Sequence, residues 1–472
     1  MENKIFRLTR RHGEKILLLL AAAGIRIYIY AVMHPIIHTD SITFLFLSEV
    51  DVVRTPGYPL FIEAVLSFND LFLFTTQYMR LICFVQLFFL GVLNAFLIYW
   101  ITRRLTSSRG FALAMGLAYN LNFLVVSFEF QLMTEIPALT LLLAVVLLYL
   151  RLFRGKNLTA LAGGILFVLL IYTRATFLLL AFAFPVVTFF GFWPYSKSKP
   201  FIRRLGPPVA LFLAVTILGI GAWSLRNKIK YDYFGISNLM PYQLRYYTNP
   251  LFPDYKPTGN REVDAVARIY QEEYEKSGPA SATVYRFHQR TREELGLSDL
   301  ETTSLFLKAQ LKLIKDYPGG YFKMIPGSLL SYYQQYSPFW ASGNIKKFLN
   351  RDNILTRSFL FFFNWHKRLF LTPVWLIIMM VGAPAVVLIH TFPQKRRFHG
   401  WLLVLAVIHY NGFVSAFSTH AGINNLRYRV PVEPLILLVF YTAFFYLGKF
   451  VFKGIRSRRS IARSHGRKET LF

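Results

Sequence analysis

Acidic side chains are scarce in this sequence, 24 Asp and Glu against 53 Lys and Arg, so a carboxylate beside an apolar run is a candidate for chemistry. Asp40, in His38-Thr39-Asp40-Ser41, follows closely on the first apolar run. There it meets reactants at the level of the lipid headgroups, and a carboxylate is the natural base for taking a proton from an attacking hydroxyl or amine. The same residues also fit an N-cap, Asp40 or Thr39 closing a helix that starts near Ser41. His38 with Asp40 offers two metal ligands, too few to define a site. Glu135, in Met133-Thr134-Glu135-Ile136-Pro137, opens another apolar run. It is either a second acid or the complement of a helix N-terminus, where Pro137 is tolerated in the first turn. Glu49, Asp51 and Glu129 read as solvated charges on the same outer side.

A set of arginines complements these acids: Arg26 inside the first run, Arg54 before Pro56-Gly57-Tyr58-Pro59, Arg174, Arg226, and the pair Arg427 and Arg429. Charge at membrane depth is costly and functional by default, and the guanidinium fork matches phosphate geometry. The set therefore points to a lipid-linked phosphate. The competing readings are snorkelling toward headgroups for Arg226 and Arg429, and an ion pair with Asp40 or Glu135 for Arg26 or Arg174. No glycine-rich phosphate loop, zinc pattern or Ser-His-Asp order accompanies them. Cys83 is the single cysteine, so no intrachain disulfide forms.

The elements that must position these residues are apolar. Of 472 residues 54% are hydrophobic and 16% charged, too apolar for a single soluble core and characteristic of an integral membrane protein. A spanning helix needs about 20 apolar residues. The chain reads as an all-α polytopic membrane protein with about ten such helices: Ile16–Met33, Met79–Ile101, Phe111–Val126, Ile136–Leu150, Leu158–Tyr172, Phe177–Phe192, Pro208–Leu225, Leu369–His390, Trp401–Phe417 and Val432–Phe450. The first is too long, and lacks the small-residue cleavage site, to be a removed signal peptide. Basic clusters fall on alternate connections, as the positive-inside rule expects, which places both ends in the cytoplasm. They account for much of the formal charge of +29, so nucleic acid is not implied as a partner. Four parts follow: a transmembrane module over 1–225 that includes the first outer loop at 34–78, an extracytoplasmic, mainly helical domain over 226–368, further spans over 369–450, and a basic cytoplasmic tail over 451–472. The first outer loop reads as two short interfacial helices around the turn at Arg54–Pro59. In the outer domain Arg261–Lys276 reads as an amphipathic helix, and Ser298-Asp299-Leu300-Glu301 as a capping box opening a helix that stops before Pro318. Tyr321–Tyr336 reads as a helix resting on the membrane.

In order and placement these features resemble the GT-C superfamily of membrane glycosyltransferases, in particular bacterial relatives of protein O-mannosyltransferases and aminoarabinose transferases. The resemblance rests on Arg26, Asp40, Arg54-Thr-Pro-Gly-Tyr-Pro59, Thr134-Glu135, Thr173-Arg174, Trp223-Ser-Leu-Arg-Asn227 and Arg427-Tyr-Arg-Val-Pro431. It is best over residues 10–230, returns near 420–435, and weakens across 230–400. It implies a GT-C-like fold and transfer of a hexosyl or pentosyl group from a polyprenyl-phosphate donor to an envelope glycan, lipid or protein acceptor. The reaction would take place on the extracytoplasmic face of a bacterial inner membrane, with the bilayer itself as a partner. By the resemblance Asp40 is the base of an inverting transfer, with Glu135 as the second catalytic acid. Arg26, Arg54, Arg174, Arg427 and Arg429 hold the donor phosphate, and Tyr58 and His38 contact substrate. No resident cofactor is expected, a divalent cation being the one candidate. Relatives with protein acceptors often carry an Asp-Glu pair in the first loop, whereas Asp40 is followed by Ser41, which departs from that pattern. The alternative class is a transporter or flippase of lipid-linked sugar intermediates, which predicts repeated halves with broken helices.

Overall fold

A computed structural model of the chain describes residues 2–37, 41, 44, 54–72, 75–152, 157–192, 199–278, 281–334, 350–372, 374, 377–418 and 424–466. Among these the architecture is helical, with one isolated parallel bridge, Ile36 to Gln131. In chain order the helices are α1 (Glu2–Val32), α2 (Gly57–Phe72), α3 (Tyr78–Thr106), α4 (Arg109–Leu121), α5 (Phe123–Glu129), α6 (Glu135–Leu152), α7 (Asn157–Thr173), α8 (Leu180–Phe192) and α9 (Lys199–Tyr231). There follow α10 (Met240–Thr248), α11 (Arg261–Ser277), α12 (Ser281–Leu295), α13 (Asp299–Asp316), α14 (Pro318–Gln334), α15 (Ile354–Leu371), α16 (Ala383–Thr391), α17 (Lys395–Ser418), α18 (Asn424–Arg429) and α19 (Glu433–Gly466).

The helix α6 is apolar all round, and such a helix belongs inside a bundle. Ile136, Leu139, Leu142, Leu143 and Val146 are fully buried, with α3 and α7 packed along it and α5, α9 and α17 touching it. The first residue of this central helix is Glu135. The bundle thus carries the acid singled out in the sequence at the mouth of its most buried element.

Five helices are long and apolar enough to cross a membrane: His12–Val32, Tyr78–Thr106, Leu205–Tyr231, Arg396–Phe417 and Glu433–Phe452. The bent pair α4 and α5 raises the number to six. About ten were expected; the fourth, Ile136–Leu150, is present as α6 but is not among these helices, and the rest of the shortfall among the described residues has local causes. Hydropathy sees an apolar run but not a break within it. The expected third span turns through 61° between Leu121 and Phe123. The fifth and sixth are present as separate helices that meet at the expected place, Arg174, whose extended backbone precedes a 3₁₀ turn at Ala175–Phe177, but both are shorter apolar helices. The expected eighth span is not one helix either: Leu369 belongs to α15, and a separate apolar helix covers Ile378–Thr391. The expected domain border at residue 368 therefore falls inside α15.

Beyond the apolar bundle, α10 to α13 pack around a second core that includes Tyr247, Phe252, Val266, Tyr270, Phe287 and Phe306. The expected amphipathic helix is α11, and the capping box at Ser298 is present with both of its bonds before α13 ends at Asp316. The tyrosine-rich helix α14 differs from its expectation. Tyr332 and Tyr333 are buried in the main core instead of resting on a membrane surface. Two hydroxyls hook this polar domain to the end of α17: Tyr247 donates to the Ala416 carbonyl, and Tyr321 to that of Phe417 at 3.1 Å. Of the two short helices expected between the first two spans, the later one forms as α2 and the earlier one lies outside the described residues.

Candidate active site

The site is assembled from three chain breaks. The segment between α5 and α6 runs as non-helical backbone from Phe130 to Thr134, and it is stitched to the first outer loop. The Ile36 amide donates to the Phe130 carbonyl at 3.1 Å and the Leu132 amide to the Ile36 carbonyl at 3.2 Å. The Ser41 hydroxyl donates to the Leu132 carbonyl at 2.8 Å. His38 and Asp40 lie outside the described residues, but Ile36 and Ser41 flank them, and both are tied within a few residues of Glu135.

A buried amide supports this seam. Gln86 begins a π-helical turn in α3, a local irregularity that frequently marks functional regions. Its Oε1 accepts from the Tyr58 hydroxyl at 2.7 Å, and its Nε2 donates to the Gln131 carbonyl at 2.7 Å. Tyr58 was expected to contact substrate. It is fully buried, its hydroxyl on Gln86 holding α2 against the seam.

The start of α2 also fixes the second break. Thr55 donates to the Thr173 carbonyl at 3.3 Å, and a Cβ on Gly57 would lie 2.6 Å from the Thr173 backbone nitrogen. Only glycine allows that approach. The residue after Thr173 is Arg174, so the contact fixes the chain from which this guanidinium projects.

The third contribution comes from α18. Arg427 donates from Nε to Glu135 Oε1 at 2.8 Å, and Arg174 Nη1 lies 3.0 Å from the same oxygen. The Arg174 guanidinium also stands over the Tyr428 ring, 5.1 Å from its centroid. Glu135 is fully buried, whereas the Arg174 and Arg427 side chains keep 10% and 17% of their exposure. Two guanidiniums thus share one carboxylate, each keeping some exposure. Such an arrangement suits an anion.

The other expected phosphate ligands are placed differently. Arg26 is fully buried, with Nη2 on Glu129 Oε1 at 2.7 Å and Nη1 on Asn120 Oδ1 at 2.6 Å. The Tyr119 hydroxyl donates to the same Glu129 oxygen at 2.8 Å. Here the ion-pair reading is right but the partner is Glu129, which the sequence suggested as a solvated charge. Gly91 leaves the space for this pair, since a Cβ there would lie 2.3 Å from Arg26 Nε. Arg429 is likewise buried, paired to Glu433 one turn later and donating to the Tyr333 carbonyl at 2.6 Å. Neither snorkelling nor phosphate contact describes it. Arg54 lies nearer the site, its guanidinium 4.8 Å from the Phe44 ring centroid, with Phe44 edge-on to Tyr58. Arg226 stacks on Trp223 and Tyr231.

Glu433, Gln86 and Tyr428 were not singled out from the sequence. Glu433 had a legible signal in its spacing of four from Arg429, and Gln86 in being polar within an apolar run. Among the described residues no three His, Cys, Asp or Glu side chains converge on one point.

The sequence matches no protein-family model and no curated protein. Among solved structures the chain is similar to the archaeal oligosaccharyltransferase AglB from Archaeoglobus fulgidus, solved in complex with an inhibitory peptide and a dolichol-phosphate. The identity is 14% and the TM-score 0.45, over 97% of this chain and 52% of that one. This chain therefore spans about half the length of that protein.

Proposed function

We propose that the protein is a GT-C-like glycosyltransferase that moves a sugar from a polyprenyl-phosphate donor to a glycan, lipid or protein acceptor at the extracytoplasmic face of a bacterial inner membrane. The observation that carries this reading is the pair of guanidiniums, Arg174 and Arg427, on the single buried carboxylate of Glu135. Glu135 orients the two guanidiniums, whose remaining N–H donors receive the donor phosphate, with Arg54 a further candidate. Asp40, in the loop tethered at Ile36 and Ser41, is the base.

The step is an in-line displacement. The acceptor oxygen attacks the anomeric carbon while Asp40 takes its proton. The bond from that carbon to the phosphate oxygen breaks with inversion, and polyprenyl phosphate departs. A phosphate monoester needs no general acid to leave, and the two arginines stabilise the charge that develops on it. His38, two residues before the base in the sequence, is the candidate to contact the acceptor.

The test is release of polyprenyl phosphate from a polyprenyl-phosphate sugar by purified protein, compared with an Asp40→Asn variant. Asn caps a helix about as well as Asp, so a merely structural Asp40 predicts near-normal turnover. A base should lose roughly 100-fold or more in rate, with yield and thermal stability unchanged. A folded Asp40→Asn protein of wild-type rate would end the assignment. Transbilayer movement of the intact donor without release would favour a flippase.

A further inference from the structure

At the end of the bundle opposite Glu135, four apolar spans terminate together: His12–Val32 and Arg396–Phe417 begin there, and Tyr78–Thr106 and Glu433–Phe452 finish there. Their ends are joined by side-chain contacts. Glu14 of α1 accepts from Tyr99 at 2.6 Å and pairs with Arg103 of α3 at 3.3 Å. Arg397 of α17 donates to the Ser107 hydroxyl in the turn between α3 and α4. Phe111 of α4 stacks on Phe445 of α19 at 4.5 Å, and Lys449 lies 4.2 Å from that ring. The elements thus bring Arg103, Arg104, Arg109, Arg397 and Lys449 to one rim, Arg109 and Lys449 being exposed there. The one described carboxylate among these helix ends is Glu14, already shared by Arg103 and Tyr99.

We propose that this rim, centred on the Ser107 turn and Arg397, binds anionic phospholipid headgroups. The occupant follows from position. The cations stand at or within a few residues of the ends of apolar spans, which is the depth of a headgroup phosphate, and juxtamembrane basic clusters at that depth recognise anionic lipids. Among the described side chains five cations face one carboxylate, an excess that favours an anionic over a zwitterionic headgroup. Arginine forks from α3 and α17, on the two sides of one turn, suit a tetrahedral phosphate.

Native mass spectrometry of the purified full chain, titrated with phosphatidylglycerol or phosphatidylcholine, tests the proposal. Phosphatidylglycerol should be retained preferentially, and Arg104→Gln and Arg397→Gln should each weaken its retention about fivefold. Lys256→Gln, an exposed change in the polar domain, should leave retention unchanged. Equal retention of the two lipids, or undiminished retention in the double variant, overturns the site. Displacement of the lipid by millimolar inorganic phosphate alone also overturns it, marking a free-phosphate site instead. Should the rim variants fail to fold, the wild type still decides: retention must fall as salt rises, and salt-insensitive retention defeats the proposal.

Discussion

Glu135 and Glu129 are both buried acids paired to arginine, yet they differ in what surrounds the pair. Arg26 and Glu129 are each fully buried, so removing one partner strands a charge and should cost about 3–5 kcal/mol. Arg26→Met should lower the denaturation midpoint accordingly, and adding Glu129→Leu should recover most of the loss; an unaffected single variant would show that the pair does not hold the bundle. Arg174 and Arg427 instead reach the surface. Arg174→Ala or Arg427→Ala should weaken donor use, with charge-assisted contacts worth about 1.5–3 kcal/mol each. Unchanged donor kinetics in both folded variants would remove them from the site. The sequence made Glu135, Arg174 and Arg427 legible because each interrupts or borders an apolar run. The pair of Arg174 with Glu135 was among its alternatives, but it did not show the others, since Arg427 and Glu135 are 292 residues apart and Arg26 and Glu129 are 103 apart. No local pattern encodes such a distance, and the fate of Tyr58 depended on the same missing information.

Among the elements, local signals were read well in water and poorly in the apolar bundle. The helix α13 announces itself through the Ser298 capping box, whose bonds are internal to four residues, whereas the 61° bend between Leu121 and Phe123 lies inside a run that reads as one span; the break at Arg174 was legible, but not the close approach of α2 to Thr173 there. Gly57→Ala should therefore disturb α2 and Arg174 together, seen as reduced donor affinity along with a lower midpoint. A change in neither would mean the contact relaxes at no cost. The polar domain also has a definite pH response. Hydrogen bonding from Arg290 holds the Glu273 carboxylate below its ordinary range, so its stabilisation is complete above the unfolded pKa of about 4.3 and is lost as pH falls through the lower folded value. Burial holds the His288 imidazole below its ordinary value despite Asp299 beside it. Below the unfolded value of about 6.5 the unfolded chain takes the proton first, and stability declines. The domain should lose stability on acidification from neutrality, first through His288 and then through Glu273. His288→Asn should flatten the upper part of that profile, and an unaltered profile would assign the response elsewhere.

On the scale of the whole molecule, the proposed topology makes one sharp demand. Reporter fusions after Lys156 and at about residue 290, within the α12 region, should fall on opposite sides of the membrane; if both report the cytoplasm, the proposed site loses its face. The sequence conveyed the all-helical class and the separate polar domain through composition, but not how that domain is attached. Its attachment has a mechanical consequence. Tyr247 and Tyr321 grip successive carbonyls, Ala416 and Phe417, at the end of α17. From there the chain leads on to Arg427, so the polar domain and the last stretch before the cation share one fulcrum. A load on the domain, such as a bulky acceptor leaning on α10 or α14, becomes a pull on α17 instead of a free swing, and the domain behaves as a handle rather than a tethered cap.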